Sequence, residues 1–160
     1  MSQLERHLSE VKRRKIQARA VSVLEGIGID ASEFEALPAT ELAKVWPKYL
    51  AILRDGGDSR RTWSEDQRAS VAEAIRDLRS QSDEDVLSWF AYSDGVVVGF
   101  RVPSARLLDS ALEYFVTPAG DLMLASRSAD DGLCIEANRT QAGIEYEIVV
   151  WGRFVTPTTP

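Results

Sequence analysis

The sequence predicts one α+β domain: a helical N-terminal half of about three helices packed on an antiparallel β-meander of about five to six strands. Three observations predict it. Apolar residues recur at three- and four-residue steps up to about residue 81, the spacing of helices that bury one face. Beyond residue 86 the period falls to two, and turn signals return at intervals of roughly 8–12 residues, as in a meander. Finally, 160 residues, 44% of them hydrophobic, suffice for one domain with a core; a chain of this size buries roughly 70% of the surface its unfolded form exposes. The domain divides into a helical half over residues 1–81, a sheet over 86–155 and a proline-bearing tail over 156–160 that should fray.

Leu4, Leu8 and Val11, then Ile16, Ala20, Val23 and Leu24, mark a first helix that stops at Gly26. Lys12, Arg13, Arg14 and Lys15 form a basic tetrad within it: a solvated face, one lying across the chain's own acidic half, or a grip on phosphates or an acidic partner. Gly26, Gly28 and Ala31 have the spacing of a dinucleotide-binding loop, but that loop needs a strand before it and a helix directly after it. A helix cap leading into a turn explains the glycines. In the second helix, over residues 40–53, Leu42, Val45, Trp46, Tyr49, Leu50 and Leu53 make a wide apolar face, and Pro47 should kink or restart it. The third opens on a capping box, Ser64 with Gln67, and buries Val71, Ile75 and Leu78.

The β half begins with a hairpin. Residues 89–92 and 96–102 flank Ser93, Asp94 and Gly95, and Asp-Gly between apolar runs is a strong hairpin signal. After Pro103 the pattern reads as a helical turn over 104–109 and then a strand reaching Thr117. Strands over 122–126 and 133–137 follow, and a loop from Asn138 to Gly143 leads to the longest strand, 144–155. In that strand Ile144, Tyr146, Ile148, Val150 and Phe154 face the core, while Glu145, Glu147, Val149, Trp151 and Arg153 face the other way.

Net charge is −6 and unevenly spread: residues 1–20 carry six Lys/Arg against two acids, and residues 81–160 carry five against twelve. The strand-rich half is therefore the acidic half, which repels nucleic-acid phosphates and favours a basic partner. No leading segment of signal-peptide type and no membrane-length apolar run occurs, which places the chain in the cytoplasm by expectation. Cys134 is the single cysteine and stands between Leu133 and Ile135, as a buried inert thiol would. His7 is the single histidine, in the first helix, far in sequence from any nucleophile it might activate. No zinc set, phosphate loop or calcium loop is present, so neither a metal nor a cofactor is expected.

Carboxylates and aromatics remain. Glu145 and Glu147 share a face, roughly 7 Å apart by strand geometry, and Glu136 of the preceding strand can join them. Trp151 and Arg153 share their parity, and Trp89 adds a second indole in the β half. Tryptophan and arginine anchor protein interfaces disproportionately, and acidic rims steer basic partners. Glu136, Glu145, Glu147, Trp89, Trp151 and Arg153 are thus the candidate partner-binding residues. The order Leu37-Pro38, Tyr49-Leu50, Asp55-Gly56-Gly57, then Asp94-Gly95 and Gly99-Phe100, is similar to that of the SUKH superfamily of bacterial immunity and interaction domains. The likeness covers under half the chain, its Leu-Pro to Tyr-Leu spacing is longer, and the helix at 64–79 is additional. The expected function is that of a small acidic protein-binding inhibitor, as an immunity protein neutralising a toxin would be. The alternatives are a carboxylate-dependent hydrolase on the sheet face and a nucleic-acid-associated protein using the basic first helix.

Overall fold

The structure, a computed structural model, describes residues 1–82, 85–114 and 120–155. Among them are four α-helices and seven strands: α1 (Gln3–Gly26), β1 (Glu35–Ala36), α2 (Ala39–Arg54), β2 (Ser59–Ser64), α3 (Arg68–Gln81), β3 (Val86–Ser93), β4 (Val96–Pro103), α4 (Ser104–Tyr114), β5 (Leu122–Ala125), β6 (Gly132–Thr140) and β7 (Gly143–Trp151). The strands form one antiparallel sheet in the order β1-β4-β3-β5-β6-β7-β2. The α+β class and the antiparallel sheet are as the sequence predicts. Two features differ. The helices are not confined to the N-terminal half, because α4 follows β4, and the sheet has seven strands because the helical half supplies both of its edges.

Those edges decide the architecture. β1 pairs with β4 at one side of the sheet, and β2 pairs with β7 at the other. The chain joining β1 to β2 is α2, so it must cross the whole sheet, six strand spacings or about 29 Å at ~4.8 Å each. A helix of 16 residues spans about 24 Å, and short loops supply the rest. α2 therefore lies across one face while α1, α3 and α4 pack on the opposite face, giving three layers. The larger core joins Leu24 of α1, Ile75 of α3 and Leu107 of α4 to Trp89, Phe100, Leu124, Ile135 and Ile148 of the sheet. The smaller core joins Val45 and Tyr49 of α2 to Phe90, Ala125, Cys134, Val149 and Trp151. Burying each such apolar side chain contributes about 1.5–3 kcal/mol, so α2 is held firmly over the sheet.

Local signals are realised closely where one element suffices to explain them. α1 ends in a Schellman motif, with the Ile29 N–H donating to the Leu24 carbonyl and Gly28 N–H to Glu25. Gly28 has φ +86°, and Leu24 and Ile29 close the motif as a buried apolar pair. The dinucleotide-like spacing is thus a helix cap. Asp94 and Gly95, both at positive φ, make the two-residue turn between β3 and β4. The Ser64–Gln67 capping box forms, preceding a 3₁₀ turn that runs into α3. α2 continues through Pro47. β6 and β7 extend until only Gln141 and Ala142 separate them, where a longer loop was expected.

Three expectations are corrected. Leu4 and Leu8 lie on no buried face: they are 67% and 53% exposed, because a helix turning 100° per residue sets them 120–160° away from Ala20 and Leu24, which carry the packing. Residues 112–114, given to a strand, are the last turn of α4, while 115–117 fall outside the described residues. The spine strand ends at Trp151, and Gly152–Phe154 form a 3₁₀ turn that tucks Phe154 into the larger core. The turn expected at 81–85 is described only at its ends, residues 83 and 84 lying outside the described residues, as does the tail at 156–160.

Candidate functional site

The parity read from the spine strand holds: Tyr146, Ile148 and Val150 belong to the larger core, and Val149 and Trp151 to the smaller. What differs is that the second face is covered at its C-terminal end. Trp151 is 2% exposed, its ring 5.1 Å from that of Tyr49 on α2, and its Nε1–H donates to the Ala129 carbonyl at 3.0 Å. Gly132 is its partner across β6, where any Cβ would collide with the indole. Trp89 is fully buried on the opposite face, beside Phe100. Both indoles are core, outside the surface a partner would meet.

The carboxylates form a row instead. Glu147 and Glu136 are direct partners across β7 and β6, and continuing the β5–β6 register by one residue sets Asp121 opposite Glu136. Side chains at such positions stand about 4.5–5.5 Å apart. Glu145 continues the row along β7, so four acids run diagonally across the part of this face that α2 leaves open. Their environments differ. Glu147 is buried at 8% exposure beneath Arg60, whose Nε and Nη2 both donate to its Oε2, at 3.0 and 2.8 Å. Glu136, half-buried, accepts from Asn138 Nδ2 at 3.4 Å and from the Cys134 thiol at 3.5 Å. Glu145 is exposed and borders a groove of about 650 Å³ that Glu65 and Asp66 also line. Asp121 is an exposed residue whose partly desolvated carboxyl is pushed up to about 6 by that desolvation and by the charge of Glu136, against one stabilising hydrogen bond from the Ala137 backbone.

At the Asp121 end the row meets a cleft of about 360 Å³ between the last turns of α2 and the strands β3 and β5. Trp46, Phe90, Tyr92 and Met123 make its apolar walls, and Arg54 stands at the rim. The rings are layered: Trp46 stacks on Tyr49 at 5.7 Å and on Tyr92 at 5.9 Å, and Tyr92 is 54% exposed. Beneath α2, burial drives the Cys134 thiol and the Tyr49 phenol well above their usual ranges, so neither is a nucleophile at neutral pH. Tyr49 instead donates its O–H to the Leu133 carbonyl at 2.8 Å.

Arg153 points elsewhere. Its guanidinium makes a two-point ion pair with Asp85, Nη2 to Oδ2 at 2.8 Å and Nη1 to Oδ1 at 3.2 Å, and its backbone N–H donates to Asp131 at 2.8 Å. It fastens the 3₁₀ turn after β7 to the start of β3. The arginine that does serve the acidic row is Arg60, which sequence reasoning missed because residues 59–63 carry no strong strand pattern between two helices. Asp121 and the Trp46–Tyr92 cleft were missed as well: Asp121 reads as a turn residue and Trp46 as helix core. Among the described residues no group of three potential ligands could hold a metal ion, and no helix is long and apolar enough to cross a membrane. No family model, curated protein or solved structure matches the chain.

Proposed function

We propose that the protein is a binding protein for a basic protein partner, which docks on the open half of the sheet along Asp121, Glu136 and Glu145, around the Arg60-capped Glu147. The role suits a small acidic inhibitor of the immunity type, in which an exposed acidic face meets a cationic surface of its target. The observation that carries the reading is the row itself. Asp121, Glu136 and Glu145 reach the surface of one face around Glu147, which is buried beneath its partner Arg60, and an aromatic-walled cleft closes the Asp121 end. Acids crowded in this way repel one another, and a cationic partner relieves that repulsion while the field speeds its approach. Arg153, Trp89 and Trp151 support the reading only by holding the sheet and α2 in place.

The test is capture of partners on immobilised protein, followed by association kinetics with whatever basic protein is recovered. Glu136→Lys with Glu145→Lys should slow association and weaken its dependence on salt, while leaving the thermal midpoint unchanged. Binding that ignores this double change would remove the acidic row from the interface. A second reading rests on the Asp121–Glu136 pair. Two adjacent carboxylates, one held partly protonated near pH 6, are the equipment of general acid–base hydrolysis. A hydrolase would show turnover abolished by Asp121→Asn and a pH profile inflecting near that value.

A further inference from the structure

We infer that the cleft between α2, β3 and β5 is the receptor for an arginine side chain of the partner, which stacks on Tyr92 and places its guanidinium against Asp121. The inference rests on the proposed binding role and names its anchor. The cleft is lined by flat, apolar side chains: Tyr92 lies over Trp46 with the planes 22° apart, beside Phe90 and Met123. Such walls accept the methylene stem and the planar face of an arginine, which stacks on aromatic rings in a way the compact ammonium of lysine does not. The polar end matches too. The β3–β5 register pairs Phe90 with Met123, so two residues further it brings Tyr92 opposite Asp121, with Glu136 next across β6. A guanidinium presenting several N–H groups can satisfy both carboxylates, whereas a single ammonium serves them as a point charge.

Charge complementarity also sets the direction of the effect. Asp121 faces the charge of Glu136 and the N–H of Ala137, and Arg54 at the rim, the last residue of α2, makes no ion pair among the described residues. Desolvation and the charge of Glu136 raise the Asp121 carboxyl to about 6, so below that pH a guanidinium meets a protonated partner. Binding should be weaker below about pH 6 than at neutral pH.

The experiment is an amide-shift titration with Nα-acetyl-arginine amide, its lysine and citrulline counterparts, and separately an arginine octapeptide. Expected is a saturable response at Ala91, Tyr92 and Met123 with the arginine compound, a weaker one with lysine and none with neutral citrulline. Tyr92→Ala should weaken it about three- to tenfold, and Asp121→Asn by about tenfold or more. Arg54→Ala should tighten it. An arginine response spread evenly over all surface carboxylates, or unaltered by Tyr92→Ala and Asp121→Asn, overturns the assignment. If the octapeptide binds through Glu136 and Glu145 but ignores Tyr92 and Asp121, the cleft is wrong and the acidic row stands. If it fails to bind at low salt, both fall.

Discussion

Trp151→Ala tests the placement of α2 more sharply than any other single change. The indole is fully enclosed between Tyr49, the backbone of β6 at Gly132 and the loop at Ala129. Truncation removes its apolar contacts and leaves a cavity, which for Trp or Phe to Ala costs about 3–5 kcal/mol. It also strands the Ala129 carbonyl, a buried acceptor whose loss of a partner costs about 1–3 kcal/mol unless water enters the cavity. The two terms overlap, so about 3–5 kcal/mol is the expected total. For a domain of this size each kcal/mol moves the midpoint by about 2–4 °C, which gives a fall of roughly 6–20 °C. Thermal unfolding followed by circular dichroism measures it, with Glu145→Gln as the surface control, expected within about 0.5 kcal/mol of the parent. A midpoint for Trp151→Ala within about 2 °C of the parent would mean that nothing covers this face, and α2 would have to lie elsewhere.

Other predictions follow from the same geometry. Asp121 binds its proton more tightly folded than unfolded, so stability attributable to it is present at low pH and declines as pH rises from 3.8 through about 6. Asp121→Asn should therefore gain on the parent across that window, in melts recorded against pH; a constant difference would deny the raised value. Cys134, 1% exposed, should react slowly with a thiol reagent until the protein unfolds, and fast native labelling would show that α2 leaves the sheet readily. Gly28→Ala, at φ +86°, should cost about 1 kcal/mol in denaturant unfolding by straining the cap of α1. Replacing Lys12, Arg13, Arg14 and Lys15 with Gln should leave the midpoint unchanged, since all four are exposed.

What the sequence determined by itself is most of what neighbours in the chain set. The helical character of α1, α2 and α3, the Ser64–Gln67 box, the Asp94-Gly95 turn, the glycine cap after α1 and the alternation along β7 were legible, because each depends on backbone geometry over a few residues, whereas the end of α4 and the exposed start of α1 were not. The run Ile148-Val149-Val150-Trp151 even held the sign of a second layer, since a strand apolar on both faces is buried on both. Only the tertiary structure decided what covers that second face. β1 and β2 have six residues or fewer and little pattern, yet their pairing at opposite edges is what draws α2 across the sheet. That pairing is a choice among distant strands, made by the total burial it permits, and no local signal records it. The same choice converts Trp151 from an exposed anchor into core, hands Glu147 to Arg60, and brings Asp121 and Trp46, 75 positions apart in the chain, into one cleft. The candidate site is thus made by contacts across the sheet, which the alternation of a single strand cannot specify.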